Sequence, residues 1–245
     1  DAFPDAVDDI LARAWPALLV LFGFDVLLGR RRLRILRWRI DTSLIGVAIM
    51  LVLVVGVVVF AYRKQADVVR ADNVQAFSDV VADEVDRVRL EVNVERTSIT
   101  VKPAEGDPRR LDVTFKGTNA SRVNIAWSAE GDAGVLTVDE AYRDAIPKLE
   151  DYGRSTLEIA LPTSVVIELF DVSGGEGDAA LDLRSLYMRQ ILLTIDAGNI
   201  QLYLPFFDVM RGELKTGDGA IELLVPASSA LDVKLAEGSG TPRYR

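Results

Sequence analysis

The chain has no cysteine and no histidine in 245 residues. Those absences remove disulfide frameworks, cysteine nucleophiles, Ser-His-Asp triads, zinc fingers and histidine-held metals from what it can build alone. Positive charge is short as well: 28 Lys and Arg stand against 37 Asp and Glu, a net charge of −9. Nucleic acid is therefore not an expected partner. Aromatics make up 7%, yet 49% of residues are hydrophobic and the mean hydropathy is +0.20 with 27% charged. Apolar and polar residues must be segregated along the chain. At 26.9 kDa it has room for one large domain or two small ones with a real core.

Thr42–Tyr62 carries no charge and is almost wholly aliphatic. As a helix it reaches about 32 Å, close to the roughly 30 Å hydrocarbon core of a bilayer. It lies too far from the start for a signal peptide, and no small-residue cleavage site follows it. Ala14–Gly29 (AWPALLVLFGFDVLLG) reads as a shorter second span, with an interfacial or re-entrant helix as the alternative. Asp25 inside it invites pairing with an arginine or a neighbouring helix, or else sits near the interface. Between the two lie Arg30, Arg31, Arg32, Arg34, Arg37 and Arg39. By the positive-inside rule this loop is cytoplasmic, and Leu33, Leu36 and Ile40 at helical spacing lay it along the anionic leaflet. Residues 1–70 hold ten Lys and Arg against seven Asp, +3, which leaves −12 for the remainder. The acidic part is therefore extracytoplasmic. The first residue is not Met, which leads us to expect an upstream segment.

Residues 65–87 read as a juxtamembrane connector helix, because Val74, Phe77, Val81, Val85 and Val88 recur at helical spacing. From residue 88 the pattern changes to a period of two: LEVNV, LDVTF, VNIAW, LEIAL, VVIEL and IQLYL all fit strands with one buried face. TIDAGNIQLYLP and KTGDGAIELLVP align with an offset of 21, and the same step links Gly177, Gly198, Gly219 and Gly240. One unit cannot bury its apolar face alone, but stacked units can. The expected fold is a two-pass transmembrane helical hairpin (1–64), the connector (65–87) and an all-β domain (88–245). That domain is expected to be a β-solenoid, with a β-sandwich as the alternative.

The residues Trp15-Pro16 and Gly23 in the first apolar segment, the span, and KTGDGAIELLVP with TIDAGNIQLYLP together resemble the LiaF-like bacterial membrane proteins. Their C-terminal part is the adhesin-type, or "toastrack", β-domain. The resemblance implies a right-handed β-helix-like domain outside the cytoplasmic membrane, linked in some members to envelope-stress signalling through two-component systems. It brings no catalytic residues. The sequence departs from the family pattern at Glu176–Ala180, where small residues stand at the usual strand start, and in the insertion Asp139–Ser155.

Glu176, Asp196 and Asp218 lie beside the period glycines and would form an acidic ladder on stacked turns. Paired carboxylates can perform glycoside acid/base chemistry, and oxygen-rich turns can hold Ca²⁺. Asp and Gly are also ordinary turn residues, which is the reading preferred here. Trp127, Tyr142 and Tyr152 offer either a sugar platform or packing. No catalytic, cofactor or metal residue is assigned. The expected function is a non-catalytic envelope-stress sensor, regulator or scaffold in the bacterial cytoplasmic membrane. Its expected partners are the lipid bilayer and other membrane proteins, or self-association. The alternatives are an accessory subunit of a larger complex and an adhesin or glycan-binding surface protein.

Overall fold

The computed structural model describes residues 33–35, 38–40, 52, 55–61, 63–64, 68–142, 153–206 and 211–226. They belong to two compact units, divided between Val68 and Val69.

In the first unit, β1 (Leu33–Ile35) and β2 (Trp38–Ile40) pair antiparallel, with Leu33 opposite Ile40, Arg34 opposite Arg39 and Ile35 opposite Trp38. This corrects the helical reading of the basic loop. LRI and WRI both alternate apolar–Arg–apolar, and the backbone follows that shorter period. Residues 55–61 and 63–64 are helical. Among the described residues no helix is long and apolar enough to cross a membrane. The expected transmembrane helical hairpin is therefore not a feature of the described fold. Only part of Thr42–Tyr62 is described; Ala14–Gly29 with Asp25, and Arg30, Arg31, Arg32 and Arg37, lie outside the described residues.

The second unit is built from strands. In chain order they are β3 (Asn73–Val80), β4 (Arg87–Val94), β5 (Thr97–Pro103), β6 (Arg110–Gly117), β7 (Ser121–Glu130), β8 (Ala133–Tyr142) and β9 (Ser155–Leu161). Then follow β10 (Val166–Glu176), β11 (Ala179–Asp182), β12 (Tyr187–Met188), β13 (Gln190–Ala197), β14 (Ile200–Tyr203), β15 (Arg211–Asp218) and β16 (Ile221–Leu224). They form two sheets. Sheet I has the order β15-β13-β10-β4-β8-β7, with β12 beside β10; sheet II has the order β16-β14-β11-β5-β9-β6-β3.

Alternation builds the core between them. In β4 (RVRLEVNV), Val88, Leu90, Val92 and Val94 are buried while Arg89, Glu91 and Asn93 are exposed. Side chains from both sheets join a single cluster that includes Leu90, Phe115, Leu136, Ile159, Phe170 and Leu202. Each sheet has one apolar face and one polar face, as strands of period two require.

The expected β-solenoid over 88–245 is corrected by the mixed pairing. Strands β15, β13, β10, β4 and β8 run parallel, as do β16, β14, β11, β5 and β9. At the other end β7 turns back antiparallel on β8, and β6 and β3 add antiparallel beyond β9. The physical cause is local. Gly131, at φ +60°, sits in the tight turn between Glu130 and Ala133 and makes Ser121–Tyr142 a hairpin, which a coil of parallel strands lacks. In addition β10 lies beside β4 rather than beside β8, so chain order is not stacking order.

The connector helix is corrected too, because residues 73–80 are the edge strand β3. NVQAFSDV alternates as well as it follows a helical period, and pairing settles the ambiguity. From Asn73 opposite Gly117 to Val80 opposite Arg110, β3 runs in continuous register with β6. Phe77 packs on the core while Val74 and Val80 stay exposed. The Asn73 Nδ2 donates to the Ser121 carbonyl, and the Val123 amide donates to Gln75 Oε1. These two amide side chains therefore close the gap between the edge of sheet II and β7 of sheet I.

Candidate functional site

Where the chain passes from sheet I to sheet II it turns through a column of glycines. Gly177, Gly198 and Gly219 have φ of +152°, +153° and +154°, a region open to glycine. The stacking is close: a Cβ on Gly198 would lie 2.0 Å from the Gly177 carbonyl oxygen, and one on Gly219 would lie 2.0 Å from that of Gly198. Backbone bonds tie the column together, with the Gly177 amide donating to the Ala197 carbonyl at 2.9 Å and the Gly198 amide to the Asp218 carbonyl at 2.8 Å. Gly240 lies outside the described residues.

The expected ladder of Glu176, Asp196 and Asp218 does not form. The register pairs Glu176 with Ala197 and Ala197 with Asp218, and Asp196 falls beside Gly217 instead. Glu176 carries an ion pair to Arg96 at 3.2 Å. Sequence reasoning missed Arg96 because it sits 80 positions earlier, outside the 21-residue period. A different ladder stands one step further along the turn. The Asn199 amide and Nδ2 donate to Asp178 Oδ1 at 2.8 and 3.2 Å, and the Ala220 amide donates to Asn199 Oδ1 at 3.1 Å. These side chains satisfy the backbone of the neighbouring turn, the usual task of Asx residues. Asn199→Ala removes two of those links and should lower stability by about 1 kcal/mol, read as a small fall in thermal midpoint. Among the described residues no group of three or more Asp and Glu is placed to hold a metal ion.

The most unusual chemistry lies at the β4–β5 turn. Glu140 is buried, and its Oε2 accepts from the Glu95 amide at 2.9 Å, the Arg96 amide at 3.4 Å and the Thr97 hydroxyl at 2.8 Å. Glu140 Oε1 has no hydrogen-bond partner among the described residues. Thr97 is opposite Ser155 in the β5–β9 register, and the Ser155 hydroxyl lies 3.5 Å from that of Ser121, which donates to the Thr118 carbonyl at 3.1 Å. Thr97, Thr118, Ser121, Glu140 and Ser155 thus form the buried polar set of an otherwise apolar core. Chain-order reading could not find it, since its members come from four strands and a loop. No histidine is present to deprotonate a hydroxyl, and the carboxylate is bonded to turn donors, so the arrangement fixes a corner.

The outer faces carry paired charges. On sheet I, Arg89 Nε donates to Glu168 at 2.8 Å, and Arg87 bonds Asp132 at 2.5 Å. Beside sheet II, Asp182 holds Arg184 through two side-chain bonds of 2.8 and 2.6 Å, and that guanidinium lies 5.1 Å from the Tyr203 ring centroid. The Arg184 hydrogen bonds hold the Asp182 carboxyl below its ordinary range, and Arg89 does the same for Glu168. A depressed folded-state value means that the stabilisation is present above the unfolded value of about 4 and is lost as pH falls through the folded one. A modest drop in thermal midpoint on acidification below about pH 4 is expected. It is modest because both pairs are solvent-screened, and it should be smaller still in Arg89→Ala, which removes the hydrogen bond that lowers Glu168.

Trp127 packs against the core, its ring lying over Gly134, where an added Cβ would meet it at 2.2 Å. It is a packing residue, not a sugar platform. The Tyr142 side chain and Tyr152 lie outside what is described. Arg34 and Arg39 face each other in the β1–β2 register.

No protein-family model and no curated protein matches the chain. Among solved structures, it is similar to a candidate cell adhesion protein from Clostridium sporogenes at 13% identity and TM-score 0.46, covering 63% of this chain and 100% of that one. A candidate adhesin from Parabacteroides merdae matches at 11% identity and TM-score 0.19, over 65% of this chain and 80% of its own. A candidate lipid-binding protein from Parabacteroides distasonis matches at 9% identity and TM-score 0.18, over 65% and 98%.

Proposed function

We propose that the chain is a non-catalytic binding module attached to a lipid bilayer, with a two-sheet domain that acts by contact with partner macromolecules. The observation that carries this reading is the helical stretch 55–61. Val55, Val57, Val58, Val59 and Phe60, with Gly56 among them, are all exposed and point in every direction around a helix, while Ala61 at its end is buried. A helical surface that is apolar all round belongs in a protein core or in lipid. Lys64 follows, with its ammonium 5.8 Å from the Phe60 ring centroid, an arrangement suited to the interface between acyl chains and water. Extraction of membranes with alkaline carbonate tests the attachment. The full chain should stay in the pellet, and Val58→Asp should move a substantial part of it to the supernatant. A wild-type chain fully released by carbonate would overturn the reading.

The domain supports binding rather than turnover. Its carboxylates at Glu140, Glu168, Asp178 and Asp182 are engaged in corner, lateral or turn bonds. Its acidic balance, −12 after residue 70, suits an extracytoplasmic face. Regulation or scaffolding of membrane partners is the main reading, and purification in mild detergent tests it. A stable stoichiometric partner supports it; a chain recovered alone, at every detergent tried, argues for the second reading. That reading is glycan binding, favoured by the polar outer row of sheet I, in which Asn93, Ser173, Thr194 and Lys215 occupy one register line. Retention of the full chain on cell-wall glycan, lost in Asn93→Ala with Thr194→Ala, would support it.

A further inference from the structure

Strand β3 reverses the polarity of the sheet that it joins. On β6, Leu111, Val113 and Phe115 face the core, while Arg110, Asp112, Thr114 and Lys116 face outward. The β3 residues opposite the core-facing set are Asp79, Phe77 and Gln75; those opposite the outward set are Val80, Ser78, Ala76 and Val74. Polar residues thus stand on the inner side of the strand and valines on the outer one. The inner amides have a use, since Asn73 and Gln75 bond to Ser121 and Val123. The outer valines stand in solvent instead, Val74 at 58% exposure and Val80 at 54%. Strand propensity favours valine within β3. It does not account for Val68 and Val69, which precede β3 and are 40% and 61% exposed. An exposed apolar surface of this kind marks a contact.

Two features select a lipid surface as its occupant. The first is the tether. If the helical stretch 55–61 is embedded in lipid, Lys64 lies at the level of the headgroups. Only residues 65–72 separate Lys64 from Asn73, a length of about 30 Å at full extension. A face held so near the bilayer needs little affinity of its own, because the encounter is intramolecular. The second feature is charge. Lys116 is the register partner of Val74, and Arg110 is that of Val80. A short apolar side chain beside a long cationic one suits the boundary between acyl chains and phosphates. Arg110 also holds Asp112 at 2.6 Å. The outer face of β3 and β6 therefore carries two cations against one anion, although the chain after residue 70 is acidic at −12. A second copy fits less well. Two such faces related by a two-fold axis would set Lys116 and Arg110 of one copy against the same cations of the other.

We propose that the outer face of β3 and β6 rests on the bilayer, with Val74 and Val80 entering the interface and Lys116 and Arg110 reaching lipid phosphates. The inference rests on the bilayer attachment proposed above and adds to it a lipid contact made by the two-sheet domain itself. It also assigns the side left for partners. The outer face of sheet I, with Glu91 and Asn93, is turned away from the membrane.

The chain has no cysteine, so single-cysteine variants can each carry one nitroxide. Val58→Cys, Val74→Cys, Val80→Cys and Glu91→Cys of the full chain are reconstituted into vesicles of phosphatidylcholine and phosphatidylglycerol. Collision with oxygen, which concentrates in lipid, is compared with collision with a water-soluble nickel chelate. The oxygen-to-nickel ratio at Val74 and Val80 should exceed that at Glu91 by about threefold or more. Adding Lys116→Glu should bring the Val74 ratio down towards that of Glu91. A Val74 label as open to nickel as the Glu91 label, with the Val58 label in lipid, overturns the inference and leaves the attachment standing. A Val58 label open to nickel overturns the attachment, and the inference with it. Low collision of the Val74 label with both reagents means that protein covers the face, a second copy or a partner, and this also overturns the inference. A Val74 ratio that Lys116→Glu leaves unchanged rejects the phosphate contact, and with it the proposal.

Discussion

Gly198→Ala should lower the stability of the two-sheet domain by roughly 4 kcal/mol, one of the largest effects expected of a single methyl group in this chain. Two penalties combine. At φ +153° the backbone of Gly198 lies where an L-residue is strained, and the added carbon would sit 2.0 Å from the Gly177 carbonyl oxygen. That oxygen belongs to backbone in the next turn, so no rotamer change can relieve the contact. The corner has to open. Opening it threatens the bond from the Gly198 amide to the Asp218 carbonyl and that from the Gly177 amide to the Ala197 carbonyl. Gly131→Ala is the control. It also replaces a glycine of positive φ, at +60°, but no atom lies within 4 Å of the new carbon. That variant should lose only about 1 kcal/mol. Thermal unfolding of the two variants side by side compares the crowded corner, where dihedral and close approach act together, with an open turn where a milder dihedral acts alone. If they lose the same stability, the stacked turns are looser than their geometry indicates.

The glycine column was legible because its cause is periodic. Any turn that stacks on an identical turn needs the same small residue at the same step, so a fixed interval of 21 records the contact directly. Strand faces were legible for a similar reason: LEVNV and IQLYL alternate, and alternation follows from the pleat. Pairing was not legible. Strands β4 and β10 are neighbours at an offset of 80, and nothing in local composition links Leu90 to Phe170. The hairpin of β7 and β8 breaks the parallel order through a turn at Gly131 that reads, in sequence, like any other loop glycine. β3 and the basic loop failed for another reason. Val74, Phe77 and Val81 satisfy a helical spacing, and NVQAFSDV satisfies a strand spacing equally well. The open edge of β6 decided between them, and that edge exists only in three dimensions. The Glu140 cluster was least legible. A lone Glu at the end of a strand looks like solvated surface until the turn that it binds, 45 residues earlier, is folded beneath it.

Glu140→Ala should destabilise the domain by about 3 kcal/mol, through donors left behind rather than through lost charge. The wild-type Oε2 collects the Glu95 amide, the Thr97 hydroxyl and, at longer range, the Arg96 amide. These three groups come from the turn that joins β4 to β5 and therefore sheet I to sheet II. Alanine leaves them without that acceptor in a site where Thr97 is 2% exposed. Water can answer the Glu95 and Arg96 amides from the partly open side, which is why the loss is not larger. Glu140→Gln discriminates between the roles of the two oxygens. Its carbonyl can still accept from Thr97 and Glu95, and its amide would occupy the position of Oε1, which has no partner among the described residues. Glutamine should therefore recover most of the stability, to within about 1 kcal/mol of the wild type. The Thr97→Val variant, which removes a single donor of nearly the same shape, should cost less than Glu140→Ala and should add little to it in the double variant. The reverse order, with Glu140→Gln as damaging as Glu140→Ala, would mean that the negative charge itself holds the corner. The hydrogen-bond account would then fail.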